Sequence, residues 1–272
     1  MTMKLTLPQQ TILERIIWSA DVSKKEVLEL TDPKNDKRLP PGLNIKLDRL
    51  FFEDLSKKGK GIIKDLQNNG YRVFVDAKII EIPDKCIELA NKYLVHKPWM
   101  LNIMAGAIST GFFESNDVKK IDALKRFADA CHKVGTRPCA VTVLTSKTDQ
   151  ITDREDGEFQ RTCLEQVAYY VDKLINFGFT DIVCSPLEAE KIKEAFGYRL
   201  KVQFNDEEHP ICLNTPGVRM PQNAKGDQAR VMTPAAAFEA GADRLVIGRP
   251  ITEGGNFEQN LFNIINNALG AV

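Results

Sequence analysis

Eight short apolar runs rich in β-forming residues recur along the chain: RIIWSAD, LNIKLD, YRVFVDAK, WMLNIMAG, PCAVTVLTS, DIVCS, ICLNTPG and RLVIGRP. Between them lie longer stretches of helical period, such as DALKRFADACHKVG, CLEQVAYYVDKLINFG and EAEKIKEAFG, with apolar residues spaced by three and four and a closing glycine. Strand and helix alternating eight times predict an α/β fold in which a closed parallel sheet is ringed by helices, the (β/α)8 or TIM barrel. A doubly wound open sheet is the alternative. It is disfavoured because no G-x-G-x-x-G follows the first strand and the charged residues are spread over many strand ends. The 272 residues suit one such barrel, and no Pro/Gly/Ser linker or low-complexity block divides them, so residues 1–272 are predicted to form a single domain. Segment 199–210, RLKVQFNDEEHP, is long for a helix-to-strand connection and predicts either an extra hairpin or an exposed loop.

Composition narrows the class of partner. Lys plus Arg and Asp plus Glu each total 37, so no net field draws the chain to nucleic acid or to an acidic membrane, and a small-molecule ligand is expected. The six cysteines are scattered, lack Cys-x-x-Cys spacing and read as small buried hydrophobes in a reducing compartment. The N-terminal stretch has no apolar signal-peptide core and no run is long enough to span a membrane, so a cytoplasmic location is expected. His96, His132 and His209 show no metal-ligand spacing, and no P-loop or nucleophile elbow occurs.

In a barrel of this kind the chemistry sits at the carboxyl ends of the strands. Asp21 closes strand one, Lys46 lies on strand two, Asp76 and Lys78 on strand three, Thr145 and Ser146 end strand five, and Gly248 and Arg249 end strand eight. Alternation along a strand puts Asp76 and Lys78 on one face. A lone Asp-x-Lys is more often a structural ion pair, but Lys46 on the neighbouring strand favours a functional cluster. After strand seven, TPGVR offers Gly217 for close backbone approach and Arg219 as a cation, and Arg249 follows strand eight. Loops seven and eight are the habitual phosphate site of such barrels, so a phosphorylated substrate is expected.

Over nearly its whole length the chain resembles the orotidine 5'-phosphate decarboxylase family. The segment TPGVRMPQNAKGDQARVMTPAAAFEAGADRLVIGRPIT is similar to that family's phosphate loop, helix and final strand, and AVTVLTS, DIVCS and the strand-three segment fit as well. A related phosphosugar decarboxylase group shares Asp-x-Lys-x-x-Asp but not the GDQAR and GRPIT ending. The resemblance implies conversion of orotidine 5'-phosphate to uridine 5'-phosphate and carbon dioxide without metal or organic cofactor, in a homodimer whose sites are completed across the interface. It implies that Lys78 stabilises the carbanion and returns a proton, that Asp76 orients Lys78, and that Lys46 completes the network and approaches the ribose. It further implies Asp21 on the ribose, Thr145 on the pyrimidine edge, Gln228 bridging base and phosphate, and Arg219, Arg249 and the Gly248 backbone on the phosphate.

The chain departs from the family pattern on strand three. Glu81 stands for the Asp and Lys85 for the Thr that reach the neighbouring subunit's site; both are carried as candidates, with Ile82 between them. Glu81 keeps the charge on a longer arm, whereas Lys85 puts a cation near a helix start, where the dipole disfavours it, and is expected to pair with Glu81 or to meet phosphate. Met104 takes a strand-four position where the family commonly has His, and is expected to pack. A decarboxylase or lyase for another phosphorylated substrate, or a nucleotide-binding relative without catalysis, are the alternatives. The pyrimidine-side residues argue against the first and the retained charge network against the second.

Overall fold

The computed structural model describes residues 4–48, 61–107, 118–147, 149, 161–204, 206–221 and 231–270. Eight parallel strands close into a barrel: β1 (Ile16–Ser19), β2 (Asn44–Asp48), β3 (Arg72–Ile79), β4 (Met100–Met104), β5 (Arg137–Val141), β6 (Asp181–Val183), β9 (Cys212–Thr215) and β10 (Arg244–Ile247), which pairs back onto β1. β9 and β10 are therefore the seventh and eighth barrel strands. The (β/α)8 expectation is met, and every one of the eight apolar runs contributes a strand.

The pleat divides the apolar residues into two sets. Ile17, Phe74, Met100, Cys139 and Val246 pack together inside the barrel, while their strand neighbours such as Ile16, Trp18, Ile45 and Val75 belong to the larger cluster between sheet and helices. The helices begin where local chemistry starts them. Thr162 and Glu165 form a capping box at α6 (Cys163–Asn176), and Ser185 and Glu188 do the same, with Pro186 at the first position, for α7 (Pro186–Phe196). In α6, Val167, Tyr170, Val171 and Leu174 are buried, the face that the three-four spacing anticipates.

Segment 199–210 resolves in favour of the hairpin. β7 (Lys201–Phe204) and β8 (Glu207–Pro210) pair antiparallel, from Lys201 opposite Pro210 to Phe204 opposite Glu207. Phe204 lies 5.7 Å from the guanidinium of Arg137, the first residue of β5, so the hairpin covers the amino-terminal end of the barrel. Beside it Asp181, fully buried, accepts from Arg137 at 2.7 Å and from Arg244 at 2.6 Å, with Asn214 and Thr180 completing its bonds. Burial opposes ionisation of Asp181, but the two guanidinium groups outweigh it and lower its pKa. This network plugs the floor of the barrel and leaves the opposite mouth for chemistry. All six cysteines are unpaired, and no helix among the described residues is long and apolar enough to cross a membrane.

Candidate active site

At the carboxyl end of the barrel a cavity of about 290 Å³ is walled by residues on or just beyond seven of the eight barrel strands, all but β4. Its charged floor is built around Asp76. One oxygen, Oδ2, accepts from Lys46 Nζ at 2.5 Å and from Lys78 Nζ at 2.6 Å. The other, Oδ1, accepts from the side-chain amide of Asn102 on β4 at 2.6 Å. Burial by itself would raise the Asp76 pKa, but the Lys46 and Lys78 ammonium groups overcome it and hold the carboxyl at about 2. The carboxylate is thus ionised across the physiological range, with two cations fixed on one side of it.

The geometry that brings Lys78 to Asp76 differs from a regular pleat. Val75 pairs with Leu101 and Ile79 with Ile103, so β3 carries two more residues than β4 across this interval and bulges at Asp76, Ala77 and Lys78. Lys78 takes a left-handed conformation, φ +43°, inside the bulge. Alternation correctly assigns Asp76 and Lys78 to the barrel mouth, but the bulge rather than the pleat sets the direction of Lys78. A non-glycine residue in that region costs roughly 1 to 3 kcal/mol and persists where its surroundings hold it.

The opposite wall carries the phosphate candidates. Pro216, Gly217 and Arg219 after β9 and Gly248 and Arg249 after β10 all line the cavity. Gly217 has φ +80°, which glycine adopts without strain. Next to it Val218 bridges Met232, and the Arg219 amide donates to Met232 O. A Cβ at Gly248 would stand 2.8 Å from Asp21 Oδ2 and 3.3 Å from Ser19 Cβ, so a larger residue here would have to push the Asp21 carboxylate aside. Ser19 Oγ lies 3.1 Å from both carboxylate oxygens of Asp21 and anchors that side chain at the rim.

Of the residues expected at the site, Asp21, Lys46, Asp76, Lys78, Thr145, Ser146, Gly217, Arg219, Gly248 and Arg249 share this cavity. β5 ends at Val141, so Thr145 and Ser146 stand on the loop beyond it, where Thr145 is buried. Gln228 lies outside the described residues, as do residues 222–227 of the segment that follows Met220. Glu81, Ile82 and Lys85 are not among the described residues that line the cavity. Glu81 is exposed beyond the end of β3, and Ile82 is 67% exposed. Lys85 does not pair with Glu81. It pairs with Glu88 one turn along α4 (Pro83–Leu94), because both residues face solvent on the same side of the helix. Met104 is half-buried at the end of β4.

Sequence reasoning missed Asn102, Ser19 and Phe74. The signal for Asn102 was a single amide in the otherwise apolar run WMLNIM. Among the described residues, no group of three or more His, Cys, Asp or Glu side chains could hold a metal ion.

Residues 14–262 match the model of the "Orotidine 5'-phosphate decarboxylase / HUMPS family". The chain belongs to this family. A relative named orotidine 5'-phosphate decarboxylase from Mannheimia succiniciproducens is 32% identical over 244 residues, covering 89% of this chain and 92% of that protein. Another, from Pseudoalteromonas translucida, is 35% identical over 198 residues, covering 73% and 75%. The crystal structure of orotidine 5'-phosphate decarboxylase from Lactobacillus acidophilus shares the fold, with a TM-score of 0.65 and 23% identity over 93% of this chain and 98% of that one.

Proposed function

We propose that this chain is a carboxy-lyase that converts orotidine 5'-phosphate to uridine 5'-phosphate in pyrimidine biosynthesis, with a Lys/Asp charge network as its catalytic machinery and no metal or organic cofactor. The observation that carries the reading is a buried carboxylate shared by two ammonium groups in a cavity whose far wall bears two arginines.

The chemical difficulty is a carbanion in the plane of a pyrimidine ring, with no carbonyl placed to delocalise it. Phosphate held between the Gly217–Arg219 turn and the Gly248–Arg249 turn anchors the nucleotide at the end remote from the bond that breaks, and its binding energy positions the reacting ring. The ring then meets the floor, where the substrate carboxylate approaches the fixed charge of Asp76. As carbon dioxide leaves, the electron pair remains on carbon beside the Lys78 ammonium, which stabilises it and donates the proton that replaces the carboxylate. Two unit charges about 4 Å apart at an effective dielectric of 20 interact by about 4 kcal/mol, so an ammonium fixed before the reaction can supply a substantial share of the rate. Lys46 keeps Asp76 ionised and faces the ribose; Thr145 borders the ring, and Asp21 contacts the ribose hydroxyls.

The protein works in this reading as a single barrel domain in a cytoplasmic homodimer, with Glu81, Ile82 and Lys85 of each copy completing the neighbouring site. Their exposure outside their own cavity supports that arrangement. The test is direct: purified protein is incubated with orotidine 5'-phosphate, the loss of its absorbance is followed, and uridine 5'-phosphate binding is measured in parallel. Turnover is expected. Binding without turnover overturns the catalytic reading, and neither binding nor turnover overturns the substrate.

A further inference from the structure

Asn102 makes two hydrogen bonds that meet the charge network from beneath. Its side chain is fully buried on β4, it does not line the cavity, and both of its polar atoms are used. Nδ2 donates to Asp76 Oδ1 at 2.6 Å, and Oδ1 accepts from the backbone N–H of Lys78 at 2.7 Å. In register it falls between Leu101 and Ile103, directly across from the bulge that contains Asp76, Ala77 and Lys78. The strand ladder is interrupted there, so the Lys78 N–H has no regular partner on β4. One side chain replaces the missing ladder bond and also sets the orientation of the carboxylate.

We propose that Asn102 is the positioning residue of the network: it clamps the β3 bulge in the left-handed conformation that aims Lys78, and it fixes the Asp76 carboxylate so that Oδ2 faces both ammonium groups. This rests on the functional reading above and assigns a role within it. The division of labour on Asp76 is physical. With Oδ1 held by a neutral donor, the carboxylate cannot rotate to give each lysine its own oxygen, and the two cations stay on the side of the reacting ring. An amide fits the task because it carries a donor and an acceptor on one planar group, whereas an ionised carboxylate in its place has no proton for Asp76. Asn102 acts through Asp76 and Lys78, so its removal should affect the chemical step more than nucleotide binding.

The experiment compares wild type, Asn102→Ala and Asn102→Leu. For each, kcat and KM for orotidine 5'-phosphate are measured, and kcat is divided by the number of intact sites counted by titration with uridine 5'-phosphate. Displacement of a catalytic group by about 1 Å costs roughly a hundredfold, so kcat per intact site should fall roughly 10- to 100-fold in Asn102→Ala, with KM and uridine 5'-phosphate affinity within about threefold of wild type. Asn102→Leu keeps the approximate volume but offers neither a donor for Asp76 nor an acceptor for Lys78; it should also lose kcat, and it decides the matter if Asn102→Ala does not fold. A residue that only supports the fold would lower the count of intact sites and leave kcat per site unchanged. Per-site kcat within about twofold of wild type, or a loss confined to KM, overturns the assignment. Wild type that binds uridine 5'-phosphate but does not turn over overturns the catalytic reading itself, and the role of Asn102 with it.

Discussion

Asp76 is a buried carboxylate that two lysines make cheaper to ionise than to protonate, with a pKa of about 2 against an ordinary 3.8. Because the folded-state value lies below the unfolded one, the stability that this group contributes is fully present above about pH 4 and is lost as pH falls toward 2. Thermal melts at stepped pH should therefore show a loss over that window which is smaller in Asp76→Asn, since that variant has no carboxyl there to titrate. At neutral pH Asp76→Asn should itself cost about 3 to 5 kcal/mol, because it leaves Lys46 and Lys78 facing each other without their shared counter-charge. A melting temperature within a degree or two of wild type would contradict this. Arg249 poses the opposite case, an exposed cation at the cavity that the functional reading assigns to the phosphate. Losing a charge-assisted bond worth about 1.5 to 3 kcal/mol, Arg249→Ala should weaken uridine 5'-phosphate binding by roughly 10- to 100-fold and lower turnover as well. Steady-state kinetics and a binding titration check both, and unchanged kinetics would remove Arg249 from the phosphate site.

At the scale of elements, the two ends of the barrel have separate duties. The β7–β8 hairpin places Phe204 against the rings of His132 and His209 at 5.0 and 6.0 Å and over Arg137, at the end away from the cavity. Phe204→Ala should thus cost about 3 kcal/mol of stability and leave kcat/KM unchanged at a temperature where the variant is folded. A parallel loss of kcat/KM would mean that the floor and the mouth are coupled. The strands and main helices were legible because their signals are local: apolar runs of strand length, three-four spacing and a closing glycine. The β3 bulge was not. It depends on how many residues β4 presents alongside, which no window on β3 alone contains. The same holds for Asn102, whose partners lie 24 and 26 residues away on another strand.

At the scale of the whole molecule, closure of the barrel gathers residues from Asp21 to Arg249 around one cavity and leaves Glu81, Ile82 and Lys85 outside it. Ile80 and Ile82 flank Glu81 at 58% and 67% exposure, an apolar pair that suits burial against a second copy, as the functional reading requires. If Glu81 and Lys85 have shifted the site completed there, Glu81→Asp combined with Lys85→Thr should raise decarboxylation of orotidine 5'-phosphate several-fold at protein concentrations where the dimer forms. No gain would mark both residues as tolerated at the rim. The sequence by itself determined the alternation of strand and helix, the mouth of the barrel as the place for Lys46, Asp76, Lys78 and the arginines, and a resemblance specific enough to name a family, because these depend on periodicity and on residues near one another in the chain. Only the tertiary structure decided the bulge that turns Lys78, the bonds of Asn102 to Asp76 and Lys78, and the close approach of Asp21 to Gly248. Each depends on atoms brought within hydrogen-bond or van der Waals reach by neighbouring strands or turns, and such distances follow from packing rather than from order along the chain.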